Sequence, residues 1–141
     1  CGVGNSWEFI GGKPFPRYNI RYYESYDGIN FTSDDVVCID VNPPEYRIGR
    51  PRVYKRENGY FMYYTYGTVD GEYICGYAES ADGINWTRKD KEKGIELSLS
   101  GWDSKHLCYP ALIDVNERTY MFYNGNYFGK DGFGVAELIE K

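Results

Sequence analysis

The feature that most constrains the fold is an internal repeat. The segment ESYDGINF at 24–31 recurs as ESADGINW at 79–86. The segment PRVYKRENGYFMYY at 51–64 has its counterpart in PALIDVNERTYMFY at 110–123. Each of the latter two is followed by a Gly-led segment, GYAES at 76–80 and GVAEL at 134–138. Because the offset between copies is nearly the same for all three pairs, we predict that the chain is built from copies of one structural unit.

One unit is predicted to contain four short antiparallel strands. Aromatic and β-branched runs are separated by Asn-Gly and Asp-Gly pairs, which are typical of tight turns. About four antiparallel strands per repeat are characteristic of a β-propeller blade, and no 3.6-residue periodicity supports a helical repeat. We therefore predict an all-β fold of four-stranded propeller blades. In the complete copy the predicted strands are Pro51–Lys55, Tyr60–Tyr66, Tyr73–Glu79 and a fourth that begins at Trp86–Lys89.

The chain holds about two and a half such blades. Residues 1–45 form an incomplete blade that lacks its inner strand, with Cys1–Gly4 as the tail of its second strand. Residues 46–100 form a complete blade, and residues 101–141 form a blade that lacks its fourth strand. A closed propeller has about four or more blades, so the chain alone leaves two sheet edges open. We expect either a homodimer that completes the propeller or a fragment of a longer protein.

Composition excludes several classes of partner. The net charge of −5 and the pI of about 4.9 argue against a nucleic-acid partner. No apolar run approaches the ~20 residues that span a bilayer, so no membrane partner is expected and a cytoplasmic location is predicted. With no paired cysteine spacing and one histidine, no metal site or cofactor is expected. The four cysteines, Cys1, Cys38, Cys75 and Cys108, are predicted to be reduced and mostly buried.

Four runs of sequence carry a resemblance to a known family. They are IGRPRVYKRENGYFMYYTYG, YICGYAESADGINWTRKDKEKGI, GWDSKHLCYPALI and YMFYNGNYFGKDGFGVAEL. Together they resemble the C-terminal half of a bacterial family of glycosyl-hydrolase-like five-bladed β-propellers. More distantly, they are similar to the invertase and arabinanase clan of glycosidases. The resemblance implies about half of a five-bladed propeller that acts on or binds a glycan or activated sugar in surface-polysaccharide metabolism.

The same resemblance bears on catalysis. Members of the clan place a carboxylate just before the Pro of an inner strand, where this chain has Gly49-Arg50-Pro51 and Cys108-Tyr109-Pro110. Arg50 and Cys108 therefore occupy the positions of the clan's catalytic carboxylates, whereas glycoside hydrolysis ordinarily uses two carboxyl groups. The sequence leaves open whether the chain is an enzyme. The alternatives are a non-catalytic carbohydrate-binding or assembly module and a truncated, inactive fragment.

Residues that repeat are predicted to hold each unit together. Asp27 and Asp82 are expected to accept backbone N–H bonds in their turns, and Phe31 and Trp86 are expected to be buried between sheets. The mixed charges of Arg88–Gly94 predict a solvated turn. The other repeated residues predicted to be structural are Glu24, Glu79, Glu137, Gly28 and Gly83.

Residues that do not repeat are candidates for a binding site. Aromatic side chains stack on sugar rings and polar ones bind hydroxyls, so we predict a carbohydrate site in which Arg50, Tyr109 and Asp103 converge. The alternative is that Asp103 caps a turn, that His106 is solvated and that Arg50 pairs with a carboxylate. The full set of predicted substrate-binding residues is Arg50, Tyr109, Trp102, Asp103, His106, Asn124 and Asn126.

Overall fold

The computed structural model describes residues 1–32 and 36–139, and its regular structure is almost entirely β. The prediction of an all-β fold is confirmed. The other regular elements in the described residues are a 3₁₀ helix at Asp90–Glu92 and a short helical turn at Asn126–Gly129. The strands are β1 (Gly2–Ile10), β2 (Lys13–Arg21), β3 (Val37–Ile39), β4 (Glu45–Arg56), β5 (Gly59–Thr68), β6 (Tyr73–Ser80), β7 (Thr87–Arg88), β8 (Cys108–Val115), β9 (Arg118–Asn124) and β10 (Phe133–Glu137).

The strands form three groups in chain order. Strands β1, β2 and β3 pair antiparallel, β4 to β7 form an antiparallel meander, and β8, β9 and β10 form a separate three-stranded sheet. The first two groups are joined by a single parallel pair, Tyr18 with Arg47. A second parallel bridge, Tyr73 with His106, joins the second group to the third. The resulting strongly curled arrangement is consistent with part of a β-propeller.

These two parallel bridges are copies of each other. Tyr73 follows Tyr18 by the same offset that separates the two ESxDGIN segments. His106 follows Arg47 by the same offset that separates the two Pro-led segments at 51–64 and 110–123. Neighbouring groups of strands are therefore joined at equivalent positions of the repeat.

The repeated aspartate turns are confirmed. Asp27 Oδ1 accepts the backbone N–H groups of Ile29 at 2.8 Å and Asn30 at 2.7 Å, and Asp82 Oδ1 makes the equivalent bonds to residues 84 and 85. Hydrogen bonds from the Asn30 and Ile29 backbone hold the pKa of Asp27 well below its usual range. The same local bonds, led by the Asn85 side chain, lower the pKa of Asp82.

The main core lies between the first and second groups, and it explains one wrong prediction. Trp86 is half-buried and packs against this core, which contains residues of β2, β3, β4, β5 and β6. Phe31, its counterpart, is 62% exposed, so the prediction that it is buried is wrong. Trp86 is covered because the first group of strands lies beside the meander to which Trp86 belongs. Phe31 belongs to neither of the core clusters formed by the described residues.

The first strand is longer than predicted. The interpretation of Cys1–Gly4 as the tail of a strand is wrong, because β1 continues to Ile10 and pairs with β2 along its length. A Gly-Gly turn at 11–12, with φ of 57° and 79°, closes this hairpin. The residues of β1 have no close counterpart in the other units, so the repeat gave no indication of the full length of this strand.

The charged stretch Arg88–Gly94 is not a solvated turn. The Arg88 guanidinium donates to both carboxylate oxygens of Glu45, at 2.9 and 2.7 Å, and to Asp90. Asp90 in turn accepts hydrogen bonds from the Tyr64 hydroxyl and the Tyr77 backbone N–H. The prediction failed because Glu45 and Tyr64 are distant from this stretch in the chain and are brought to it only by the sheet.

The cysteines follow the prediction in part. All four are free; Cys75 and Cys108 are buried, Cys38 is half-buried and Cys1 is exposed. Burial raises the pKa of the Cys75 thiol to about 12 and that of Cys108 to about 11, so both stay protonated at neutral pH.

Candidate functional site

A cleft of about 630 Å³ opens where the three groups of strands meet. Its volume lies within the range of about 300–1,000 Å³ typical of small-molecule sites. The polar and aromatic side chains that line the cleft are Tyr18, Arg47, Arg50, Thr65, Tyr73 and Tyr109.

Two matched β-bulges direct side chains into the cleft. Arg50 has φ of 55° and Tyr109 has φ of 59°, a left-handed conformation that non-glycine residues rarely adopt. The strand register shifts at both places, between Gly49 and Arg52 and between residues 108 and 111. A bulge of this kind re-aims a side chain relative to a regular strand. As a result the Arg50 guanidinium carbon lies 5.4 Å from the centre of the Tyr109 ring.

The position of Tyr109 is fixed by its neighbours. Its backbone N–H donates to the buried hydroxyl of Thr65 at 2.8 Å, which ties β8 to β5. Its ring lies nearly parallel to that of Phe128, with 6.4 Å between the ring centres. Tyr109 is therefore held at the cleft through both its backbone and its ring.

Arg47 is a cleft residue that the sequence reasoning missed. Its guanidinium carbon lies 4.3 Å from the Tyr73 ring centre and 4.9 Å from that of Tyr46. Its Nε atom is buried and has no hydrogen-bond partner. The internal repeat could have indicated Arg47, because Arg47 is the counterpart of His106, and His106 was predicted to bind substrate.

The cleft is electropositive. Neither Arg47 nor Arg50 forms a side-chain hydrogen bond or ion pair with any residue that the structure describes, and no carboxylate lines the cleft in that part of the chain. The alternative that Arg50 pairs with a carboxylate is thus not seen. At least four of the six arginines elsewhere in the chain have acidic partners: Arg17, Arg56, Arg88 and Arg118.

Trp102 and Asp103 lie outside the lining of the cleft. Asp103 is buried and accepts a 3.0 Å hydrogen bond from the Tyr123 hydroxyl. Trp102 stacks on the Tyr123 ring, with 5.5 Å between centres. A Cβ at Gly125 or Gly134 would come within 2.4 Å of the indole, so these glycines make room for it. The expected convergence of Asp103 with Arg50 and Tyr109 is wrong, because the carboxylate is turned into this cluster.

His106, Asn124 and Asn126 organise the loops beside the cleft. The Asn126 Oδ1 atom accepts the backbone N–H groups of Lys105 and His106, at 2.8 and 3.0 Å. The His106 Nδ1 atom accepts the Tyr127 N–H at 3.1 Å, which leaves Nε2 to donate to the Gly71 carbonyl at 3.1 Å. Asn124 Nδ2 donates to a backbone carbonyl at residue 128, and none of the three lines the cleft.

Neither a metal centre nor a membrane-spanning helix is found in the part of the chain that the structure describes. Residues 1–32 and 36–139 contain no group of three or more His, Cys, Asp or Glu side chains that could hold a metal ion. Within the same ranges, no helix has the length and hydrophobicity needed to cross a bilayer.

Sequence comparisons find relatives that are longer than this chain. No family model matches. The uncharacterized protein Rv1502 of Mycobacterium tuberculosis is 33% identical over 120 residues, which is 84% of this chain and 40% of that protein. A sucrose-6-phosphate hydrolase of Bacillus subtilis (strain 168) is 31% identical over 74 residues, which is 52% of this chain and 15% of that protein. The chain thus spans about 40% of the length of the mycobacterial relatives it matches.

Structural comparisons identify the fold. A glycoside hydrolase superposes with a TM-score of 0.69 at 17% identity, over 99% of this chain and 40% of the other. A thermostable family-43 glycoside hydrolase gives 0.67 at 15% identity, over 99% and 55%. The protein BT0996, in an RGII complex, gives 0.64 at 18% identity, over 96% and 38%. The chain therefore has a glycoside-hydrolase-like β fold.

Proposed function

We propose that the chain is part of a carbohydrate-active, five-bladed propeller of the glycosyl-hydrolase-like type, and that its cleft binds a glycan or activated sugar. The observation that carries the proposal is the pair of matched bulges. They turn Arg50 and Tyr109, from neighbouring units, towards each other in a cleft of about 630 Å³. A tyrosine ring supplies a stacking face for a sugar, and guanidinium and hydroxyl groups supply hydrogen bonds to its oxygens.

The comparisons support a saccharide ligand. Two of the structural neighbours are glycoside hydrolases, a third is a protein in an RGII complex, and one sequence relative is a sucrose-6-phosphate hydrolase. The remaining strands of the propeller would come from a second copy of the chain or from a longer protein.

The proposed role of these residues is binding. Hydrolysis by the usual route needs a carboxylic acid and a second carboxylate flanking the scissile bond. The cleft-lining side chains that the structure describes include no carboxylate, and the Cys108 thiol is buried and protonated at neutral pH. We therefore assign no acid, base or nucleophile to this part of the protein.

Calorimetry with a glycan panel tests the proposal. A ligand is first selected by screening the 141-residue chain on a glycan array, and its affinity is then measured for the wild type and for Tyr109→Ala. Loss of the stacking face should weaken binding about tenfold. Tyr26→Ala is the matched control, because Tyr26 is fully exposed on a turn and does not line the cleft.

Two results would count against a carbohydrate site in the cleft. One is that no glycan on the array binds the folded chain. The other is that Tyr109→Ala, with an unchanged circular dichroism spectrum, binds the selected glycan as tightly as Tyr26→Ala.

A further inference from the structure

The charge of the cleft is opposite to that of the chain. The protein has 21 acidic and 16 basic residues and a net charge of −5. Yet the cleft contains two arginines, Arg47 and Arg50, and no carboxylate among the described residues that line it. Because acidic side chains are in excess in the chain, an acid-free lining around two guanidinium groups is opposite in sign to the net charge of the molecule.

The arginine side chains in the cleft have unused hydrogen-bonding capacity. A guanidinium carries five N–H donors, and the buried Nε of Arg47 has no partner. A buried polar group without a partner is unfavourable. Four other arginines each have a carboxylate within hydrogen-bonding or ion-pair distance, including Arg88 with Glu45 at 2.7 Å. At least four of the eight arginines therefore have an acidic partner among the described residues, and neither Arg47 nor Arg50 does.

The two guanidinium groups are held in place by aromatic rings rather than by acids. Arg47 lies against Tyr46 and Tyr73, at 4.9 and 4.3 Å from their ring centres, and Arg50 lies 5.4 Å from that of Tyr109. A cation held against a ring face keeps its N–H edges available. A planar guanidinium positioned in this way can bind a phosphoryl or carboxylate group through two parallel hydrogen bonds.

We propose that the cleft selects an anionic saccharide, in which Arg47 and Arg50 bind a phosphoryl or carboxylate group and Tyr109 packs against the sugar ring. This inference rests on the proposed function, because it names the class of sugar that the same cleft takes. Sugar phosphates and uronic acids share this chemistry, because each carries an oxyanion attached to a sugar.

The test compares matched neutral and charged sugars by calorimetry with the 141-residue chain. The probes are glucose, galactose and mannose, each as the neutral sugar, the 6-phosphate and the uronic acid, together with inorganic phosphate. The tightest-binding phosphate or uronate is expected to bind at least about tenfold more tightly than its neutral parent. This preference should decrease as the salt concentration rises.

Variants locate the anion. Arg50→Gln and Arg47→Gln should each weaken binding of the charged sugar about tenfold and weaken binding of its neutral parent by less, so that the preference for the charged sugar decreases. Arg118→Gln is the control, because it removes one positive charge from an exposed residue on β9, outside the cleft. Whether the 6-phosphate or the uronic acid binds more tightly identifies the source of the oxyanion.

The outcomes separate the two proposals. If neutral and charged sugars bind equally well and both depend on Tyr109, the carbohydrate site stands and the anionic preference is overturned. If inorganic phosphate binds as tightly as every sugar phosphate, the sugar-ring contact is overturned. If no probe binds, this inference is overturned, and the glycan array then decides the proposed function independently.

Discussion

The two bulge residues combine backbone strain with side chains that face the cleft. For a non-glycine residue the left-handed region costs about 1–2 kcal/mol, and such strain is often found at functional sites. Arg50 and Tyr109 both adopt it at the same position of two units. At the residue scale, Arg50 and Tyr109 therefore face the cleft although the backbone conformation that places them there is unfavourable for non-glycine residues.

Substitution of Arg50 separates these two properties. Arg50→Ala keeps a Cβ at φ of 55°, whereas Arg50→Gly removes it. We expect the glycine variant to be more stable than the alanine variant by about 1 kcal/mol in urea unfolding. Both variants should lose affinity for the ligand. Equal stability of the two variants would show that the bulge is not strained at this residue.

Local residue chemistry was predictable from the sequence, but long-range contacts were not. Asp27 and Asp82 bond to amides two and three residues away, so the pattern Ser-x-Asp-Gly was sufficient to predict them. The partner of Asp103 is Tyr123, on another strand, and no local pattern indicates it. Of the seven predicted site residues, Arg50 and Tyr109 line the cleft, and both were identified by comparing matched positions of the repeat.

At the scale of elements, a partly buried ionic network joins β4 to the end of the meander. The Arg88 side chain is 18% exposed and that of Glu45 is 10% exposed. Arg88 Nη2 lies 2.7 Å from Glu45 Oε1. Breaking a buried ion pair leaves the remaining charge without compensation. The network thus holds β7 and the 3₁₀ helix against strands that are distant in sequence.

Replacing Arg88 should be costly. We expect Arg88→Met to lower the free energy of unfolding by about 3 kcal/mol, because Glu45 stays buried without its partner. In the control Arg56→Met, the exposed pair with Glu79 is lost at a cost of about 1 kcal/mol or less. Urea denaturation followed by tyrosine and tryptophan fluorescence measures both. If the two variants lost similar amounts of unfolding free energy, burial of the Arg88–Glu45 pair would not account for its contribution.

Acid sensitivity is expected at the edge of β6. Hydrogen bonds from Lys89 and Tyr77 lower the pKa of Glu79 from 4.5 to about 2. A carboxylate with a lowered pKa in the folded state stabilises the fold above its unfolded pKa. That stabilisation is lost as the pH falls from about 4.5 towards 2. Thermal unfolding across this range should show a smaller pH dependence for Glu79→Gln than for the wild type, and identical slopes would refute the assignment.

Strand positions in the complete unit were predicted closely because turns fixed them. The predicted strands Tyr60–Tyr66 and Tyr73–Glu79 lie within β5 and β6, and both are bounded by Gly-containing turns. The inner strand β4 was predicted too short, from Pro51, because its first half precedes the bulge and the proline. A bulge interrupts the alternation by which a strand is recognised in a sequence.

At the scale of the whole molecule, the third group of strands exposes an apolar face. Phe122 on β9 is paired with Val135 on β10 and lies 5.8 Å from the Phe133 ring, so these side chains share one face. Phe133 is 68% exposed and Val135 is 52% exposed. At the other end of the structure, Trp7 on β1 is 67% exposed. Exposed apolar faces next to open sheet edges are typical of surfaces that associate with another chain.

We therefore expect the isolated 141-residue chain to form a homodimer through these faces. Pairs of identical chains usually adopt two-fold symmetry, and an interface that completes a propeller should bury more than about 2,000 Å². Val135→Glu should shift the chain to a monomer in light scattering, because it places a charge within the apolar face. Lys91→Gln, which changes the net charge by the same amount at an exposed position outside that face, should leave the dimer intact. A wild-type chain that is folded and monomeric at micromolar concentration would rule out this pairing, and the apolar face would then have to be covered by other residues of a longer protein.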